Sequence, residues 1–249
     1  MACRNIEKGN AAMEEIRSST SCPPETLEVW HLDMSSYASV QSFAEKANST
    51  LHRIDAVVAN AGIAAFDFRL VEGNEETITC NVVSTILLGL LLQPKLRETA
   101  KLHKTQAHFT ITGSDLYAMA KFKESQGPPG RVLSNLNDKA KSDLADRYNV
   151  SKLLVVLMVR QMAAMSPLES NDVIMNTVGP GARKTEVGAR VLVHGAGAGA
   201  DSHGKYLPDG KVRTLGALAK GRKGTELQEL VWKELKDKLE DIRPGIMSP

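Results

Sequence analysis

The chain of 249 residues is poor in aromatics (4%), holds three scattered cysteines and carries a net charge of only +2. Each shortage excludes something. Cys3, Cys22 and Cys80 are odd in number and far apart, so neither a disulfide framework nor a zinc spacing is read, and a reducing compartment, the cytosol, is expected. The six histidines show no ligand spacing, so no metal is expected. A near-neutral chain gives no electrostatic case for nucleic acid or an anionic membrane, and so few rings leave no base-stacking surface. The longest apolar run, Ile86 to Leu92 broken by Gly89, is too short to span a bilayer, and the N-terminus shows no apolar signal segment. At 42% hydrophobic, the chain has enough apolar material for one large globular domain over residues 1–249.

What is present alternates. Helical periodicity covers Lys8–Arg17, Tyr37–Leu51, Glu75–Leu102 with a kink or break at Pro94, Asp138–Met165, Thr185–Ala198 and Glu226–Ile242. Strand-like runs are Leu27–Leu32, Ile54–Ala59, Ala107–Thr112 and Asp172–Val178. Such alternation predicts a parallel α/β sheet covered by helices on both faces. Gln126–Gly130 reads as a loop inside the domain rather than a linker.

Tyr148 and Lys152 stand four residues apart in a helical stretch, so phenol and ammonium share one face. A free phenol titrates near ~10. A cation about 4 Å away, at an effective dielectric of about 20, favours the phenolate by about 4 kcal/mol. Such a pair suits a general acid or base acting on an alcohol or carbonyl oxygen. A Tyr-x-x-x-Lys spacing also arises as an ordinary helix-surface pair, so its neighbours decide.

Those neighbours fall in a fixed order. Asp33 follows the strand ending at Leu32, Asn60-Ala61-Gly62 closes the next strand, and Asn81 lies in the following helix. Ser114 follows the strand ending at Thr112, then come Tyr148 and Lys152, and Gly179-Pro180-Gly181 and Thr185 follow the last strong strand. This order resembles the short-chain dehydrogenase/reductase family, and phrases such as Asp146-Arg147-Tyr148-Asn149-Val150-Ser151-Lys152 are similar to its fungal, retinol-dehydrogenase-like branch of secondary metabolism. The resemblance implies a Rossmann-like doubly wound sheet. It implies hydride transfer between an NADP cofactor, with NAD as the alternative, and a small alcohol or ketone, a polyketide or terpenoid; homo-oligomerisation stays open. Tyr148 would exchange the proton, Lys152 would support it and hold the nicotinamide ribose, Ser114 would bond the substrate oxygen, and Asn81 would anchor a proton-feeding water chain. Asp33, Asn60, Ala61 and Gly62 would meet the adenosine side, Arg4 the 2′-phosphate, and Thr185 the nicotinamide carboxamide or a phosphate, with Tyr148 and Gly181 also among the cofactor contacts. Structural readings stand beside these: Asp33 as a helix cap, Asn81 as a locally bonded helix residue, and Ser114 as a turn residue.

The pattern is broken in two places. Members of the family open with a strand and a glycine-rich turn for the pyrophosphate; here that opening is missing and Gly9 stands alone, so the fold is expected to be N-terminally truncated. Neighbouring strands would then lose their central partner, and they close up or leave the chain poorly stable. Gly195-Ala196-Gly197-Ala198-Gly199 does not follow a strand and reads as a helix end. The segment that covers substrate is also shortened, since Glu186 to Leu192 begins almost at once after Thr185, which puts the role of Thr185 in doubt. Weak NADPH binding is therefore expected. Two other readings follow from the breaks: a cofactor-free acid–base catalyst, such as a dehydratase or isomerase, or an inactive truncated pseudoenzyme.

Overall fold

The computed structural model describes residues 1–169 and 172–248. In chain order it runs β1 (Ala2–Cys3), α1 (Ile6–Thr20), β2 (Trp30–His31), α2 (Tyr37–Thr50), β3 (Ala56–Ala59), β4 (Leu70–Val71), β5 (Asn74–Glu75), α3 (Glu76–Ile78), α4 (Ser84–His103) and β6 (Ala107–Thr112). It continues with α5 (Val132–Leu136), α6 (Leu144–Met165), β7 (Val173–Gly179), α7 (Thr185–Gly195), β8 (Tyr206–Pro208) and α8 (Gly221–Ile242). The fold is the expected Rossmann-like α/β arrangement of parallel strands flanked by helices. Helix α1 begins where the Asn5 side chain accepts the Lys8 amide at 2.8 Å and ends where Ser21 turns left-handed. Ser36 caps α2 in the same way.

The parallel sheet is in two pieces. Strands β3-β6-β7-β8 form one and β1-β2 the other, while β4 and β5 make a small antiparallel hairpin. The two pieces have not closed up. The Trp30 and Leu32 amides donate to the carbonyls of Met1 and Cys3, so Ala2 turns its own amide and carbonyl away from β2. On the other piece, His108 N–H donates to Asp55 O at 2.8 Å. The alternation of a parallel ladder then aims the backbone groups of Ala56 and Val58 away from β6. Between these edges lies a groove of about 420 Å³, lined by Ala2, Trp30, Phe43, Ile54, Ala56 and Val58. Val58, in a run that reads as a buried strand, is 39% exposed.

Element boundaries shift where pairing or packing overrides local pattern. The strand expected over 27–32 shrinks to Trp30–His31, because its partner β1 is two residues long. The helix expected from Asp138 begins at Leu144, since residues 138–142 close a turn on the Asp138 carbonyl. No break occurs at Pro94: α4 runs through it, held by the fully buried Leu92 and Leu96 on either side. The irregularity sits earlier, in a π-turn over Thr79–Val83. Helix α7 stops at Gly195, and β4, β5 and β8 had no clear signal in the sequence. By length and composition Glu76–His103 could cross a membrane, yet 78% of its apolar window is buried inside the fold, as in a core helix.

One buried charge cluster joins the pieces that carry the site. Arg147, fully buried on α6, contacts Glu75 at 3.4 Å and Glu124 at 3.2 Å and donates to the Leu136 carbonyl and to Ser142. Glu75 also accepts the Thr77 and Ile78 amides, starting the helix that leads to Asn81. Next to it, Asp146 accepts the amides of Lys121 and Phe122. Desolvation pulls the Arg147 pKa down, against the pull of the carboxylates around it.

Two outcomes follow. In hydrogen exchange read by NMR, the Ala56 and Val58 amides exchange at least about 100-fold faster than those of Val57 and Ala59, which bond β6; equal protection along β3 would mean the open edge is paired. In urea unfolding, Arg147→Met lowers stability by about 3–5 kcal/mol by leaving two carboxylates buried without a cation, and adding Glu75→Gln and Glu124→Gln restores more than half of the loss.

Candidate active site

The ends of β3 and β6 are tied to α6 by a short relay of bonds. Thr112 Oγ1 donates to Asn60 Oδ1 at 2.9 Å, and the Thr112 carbonyl accepts Lys152 Nζ at 2.7 Å. Lys152 is 4% exposed, and that carbonyl is its amine's one hydrogen-bond partner among the described residues. Burial without a carboxylate pulls its pKa down from 10.5 to about 8. One helical turn back, the half-exposed Tyr148 ring lies with its centroid 5.6 Å from Lys152 Nζ. Among the described residues the Tyr148 hydroxyl bonds no other group, so it is open to a ligand oxygen.

Asn81 occupies the π-turn and uses it to clamp a loop. Its Oδ1 accepts the Ile63 amide at 2.8 Å, and its Nδ2 donates to the Ile63 carbonyl at 2.8 Å and to Ser151 Oγ at 3.0 Å. The clamp brings Gly62 against Lys152. A methyl group on Gly62 would lie 3.2 Å from Asn81 Oδ1 and 3.5 Å from Lys152 Nζ, so glycine keeps this cradle open. Asn60 and Ala61 are exposed beside it. Ser114 follows β6 and is half-buried; its Oγ accepts the Leu116 amide at 3.3 Å, which leaves the hydroxyl proton free to donate. The turn over Asp115–Met119 packs on α6, bringing Ser114 and the Tyr148 helix to the same end of the sheet.

Asp33 and Arg4 stand just past the carboxyl ends of β2 and β1, with the guanidinium charge acting on the carboxylate. Asp33 Oδ1 accepts the Ser35 amide at 2.9 Å and hydroxyl at 2.6 Å, so it forms the turn that enters α2 while keeping one face half-exposed. Burial raises the Asp33 pKa, but the Ser35 bonds and the Arg4 and His31 charges outweigh it, and the carboxyl titrates below its ordinary value. Cys80, beside Asn81, is pushed up to about 12 by burial and nearby carboxylates, so its thiol is inert.

Two expected cofactor contacts are not brought into this group. Gly181 takes φ +66° in an exposed turn, and Thr185 is the exposed first residue of α7; neither bonds Tyr148, Lys152 or Asn81. Only Pro180–Lys184 separate β7 from α7, which leaves no covering helices there. Glycine at position 179 has a physical reason: a Cβ would fall 2.0 Å from the Tyr206 hydroxyl. Tyr206 donates to Asp115 Oδ1 at 2.7 Å and packs edge-on against Tyr117. Gly195 is no phosphate loop; it is buried against Val178 at the end of α7. Thr112, Ser151, Tyr206 and Asp115 were missed by sequence reasoning, and only the strand-end position of Thr112 gave a signal.

The residues fit the nucleoside portions of a dinucleotide, through the Gly62 cradle and through Asp33 and Arg4. Among the described residues no glycine-rich turn joins the two.

Residues 1–103 match the family model for short chain dehydrogenase. The short chain dehydrogenase/reductase dmxR8 of Cryptosporiopsis sp. (strain 8999) is 41% identical, with all of this chain and 84% of the relative covered. The short-chain dehydrogenase anuD of Penicillium roqueforti (strain FM164) is 34% identical over 99% of this chain and 71% of its own. Among solved structures, an NADPH-bound carbonyl reductase from chicken fatty liver superposes with a TM-score of 0.59 at 17% identity, covering 86% of each chain. The NADH-dependent reductase A1-R′ complexed with NAD does so at 0.53 and 20%, covering 72% of each. At such identities the structures show the fold, and the fungal relatives show the lineage: this chain belongs to the short-chain dehydrogenase family.

Proposed function

We propose that this chain is an oxidoreductase acting between an NADP cofactor and the carbonyl or alcohol of a small secondary metabolite, a polyketide or terpenoid, with Tyr148 as proton donor and acceptor. The observation that carries the reading is the free Tyr148 hydroxyl one helical turn from a buried ammonium that is anchored to the Thr112 carbonyl. The nicotinamide, when bound, supplies or accepts the hydride. Ser114 donates its hydroxyl proton as a hydrogen bond to the substrate oxygen and orients it. Tyr148 passes a proton to that oxygen in reduction and takes it back in oxidation. Lys152 places positive charge beside the phenol while its other bond fixes it to the strand end. Asn81 holds the Gly62 cradle open against Lys152, and Arg4 beside Asp33 gives a cation for a 2′-phosphate, which favours NADP. The fungal relatives support the pathway class, and the NADPH-bound carbonyl reductase of the same fold supports the chemistry.

A second reading has its own support. The parallel sheet is split between β1 and β3, and among the described residues no glycine-rich turn is there to receive a pyrophosphate. The same Ser114, Tyr148 and Lys152 then serve a dehydration or isomerisation that needs no nucleotide.

Tyr148→Phe keeps the ring and removes the proton. It lowers NADPH-dependent reduction of a model ketone by at least about 100-fold while leaving NADPH affinity within about twofold, measured by stopped-time assay and fluorescence titration. A chain that binds NADPH yet reduces no ketone, aldehyde or quinone sinks the oxidoreductase reading. Lys152 gives a readout that needs no turnover. Folded, its amine loses the proton near pH 8; unfolded, it holds it to 10.5. Between these values the unfolded chain binds more protons, so stability rises with pH across that window, the cost of the buried charge being fully present below it. Denaturation midpoints of Lys152→Met lack this rise; the same rise in the variant assigns it to another group.

A further inference from the structure

We infer that the groove between α7 and the turn after β8 is a binding site for an amphipathic carboxylate, distinct from the Tyr148 cleft. Val187, Arg190, Val191 and His194 recur at helical spacing and share one face of α7. That face meets Asp209, Gly210 and Lys211 across a groove of about 380 Å³. Gly210 permits the approach: it sits at φ +75°, and a Cβ there would lie 2.9 Å from the His194 ring.

The charges in the groove do not balance. Asp209 is already engaged, bonding Arg183 at 2.7 Å with Arg213 at 3.9 Å. Arg190 and Lys211 also line the groove, and neither has an ion pair among the described residues. The place therefore has two cations in surplus, one of them a planar fork suited to a carboxylate. Val187 and Val191 give that end an apolar floor.

The groove also has a body to go with its head. His194, Gly210 and Lys211 are shared with a second cavity of about 410 Å³, walled by Ala198, Leu207 and Val212. Its one carboxylate is Asp201. A ligand with an anionic head at Arg190 and Lys211 and an alkyl or aryl body along the second cavity satisfies both ends. A neutral ligand leaves the cations unused, and a small inorganic anion leaves the apolar wall bare.

Calorimetric titration of the whole chain with octanoate and with 1-octanol separates the head from the body. Octanoate binds at least about tenfold more tightly than 1-octanol, a difference of about 1.4 kcal/mol. Arg190→Gln with Lys211→Gln removes that advantage and leaves 1-octanol affinity unchanged. Both residues are exposed, and an unchanged melting temperature confirms that the double variant is folded. Acetate at the same concentration does not compete. Tyr148→Phe leaves octanoate affinity as it is, so loss of ketone reduction and loss of this site are read apart. Equal affinity for the two probes, tight octanoate binding by the double variant, or competition by acetate each overturns the inference.

Discussion

The guanidinium of Arg147 is the joint on which the site depends. It is fully buried, and a charge taken out of water is tolerated only where opposite charges and carbonyls receive it. Here Glu75, Glu124, Leu136 and Ser142 do so from four separate stretches of chain. Glu75 starts the helix that delivers Asn81, and Arg147 itself directly precedes Tyr148. A displacement at this joint would move the Asn81 clamp and the Tyr148–Lys152 face relative to each other. Its contacts at 3.2 and 3.4 Å are charge contacts rather than aligned hydrogen bonds, and Nε and Nη1 make none. The cluster is therefore best understood as fixing one arrangement of the helices, with the removal of any member costing more than its presence gains.

The second constraint is the open edge. A parallel sheet is covered on both faces because its backbone groups need partners and its side chains need burial. Strands β1 and β3 meet neither condition along the groove between them. The result is short strands, an exposed Val58 and a site in two halves: Asp33 and Arg4 at the end of one sheet piece, and Gly62, Thr112 and Lys152 at the end of the other. The geometry of the second half is set within β3, β6 and α6, through bonds that do not cross the groove.

Desolvation then does to Lys152 what no neighbouring charge does. Its amine has no carboxylate partner, and its lowered pKa reflects burial alone. A cation that is costly to hold is one that a bound anion or a phenolate would stabilise strongly, which ties the energetics of this residue to the proton chemistry proposed for Tyr148.

The sequence by itself determined the class of fold and the order of the site. Strand Ala107–Thr112 was legible to the residue because Ala, Phe and Ile alternate with His and Thr over six residues, the period of an extended chain. The Tyr148–Lys152 pair was legible because helical spacing alone puts both on one face. Strand lengths at β1 and β2, the π-turn at Asn81, the passage of α4 through Pro94 and the exposure of Thr185 were decided only in three dimensions. So were the parts played by Arg147 and Tyr206, to which sequence reasoning gave no role. Their roles come from Glu75, 72 positions before Arg147, and Asp115, 91 positions before Tyr206. Local pattern reports how a residue relates to its own helix or strand. The partner of a buried charge lies far along the chain, and only the folded chain brings it near.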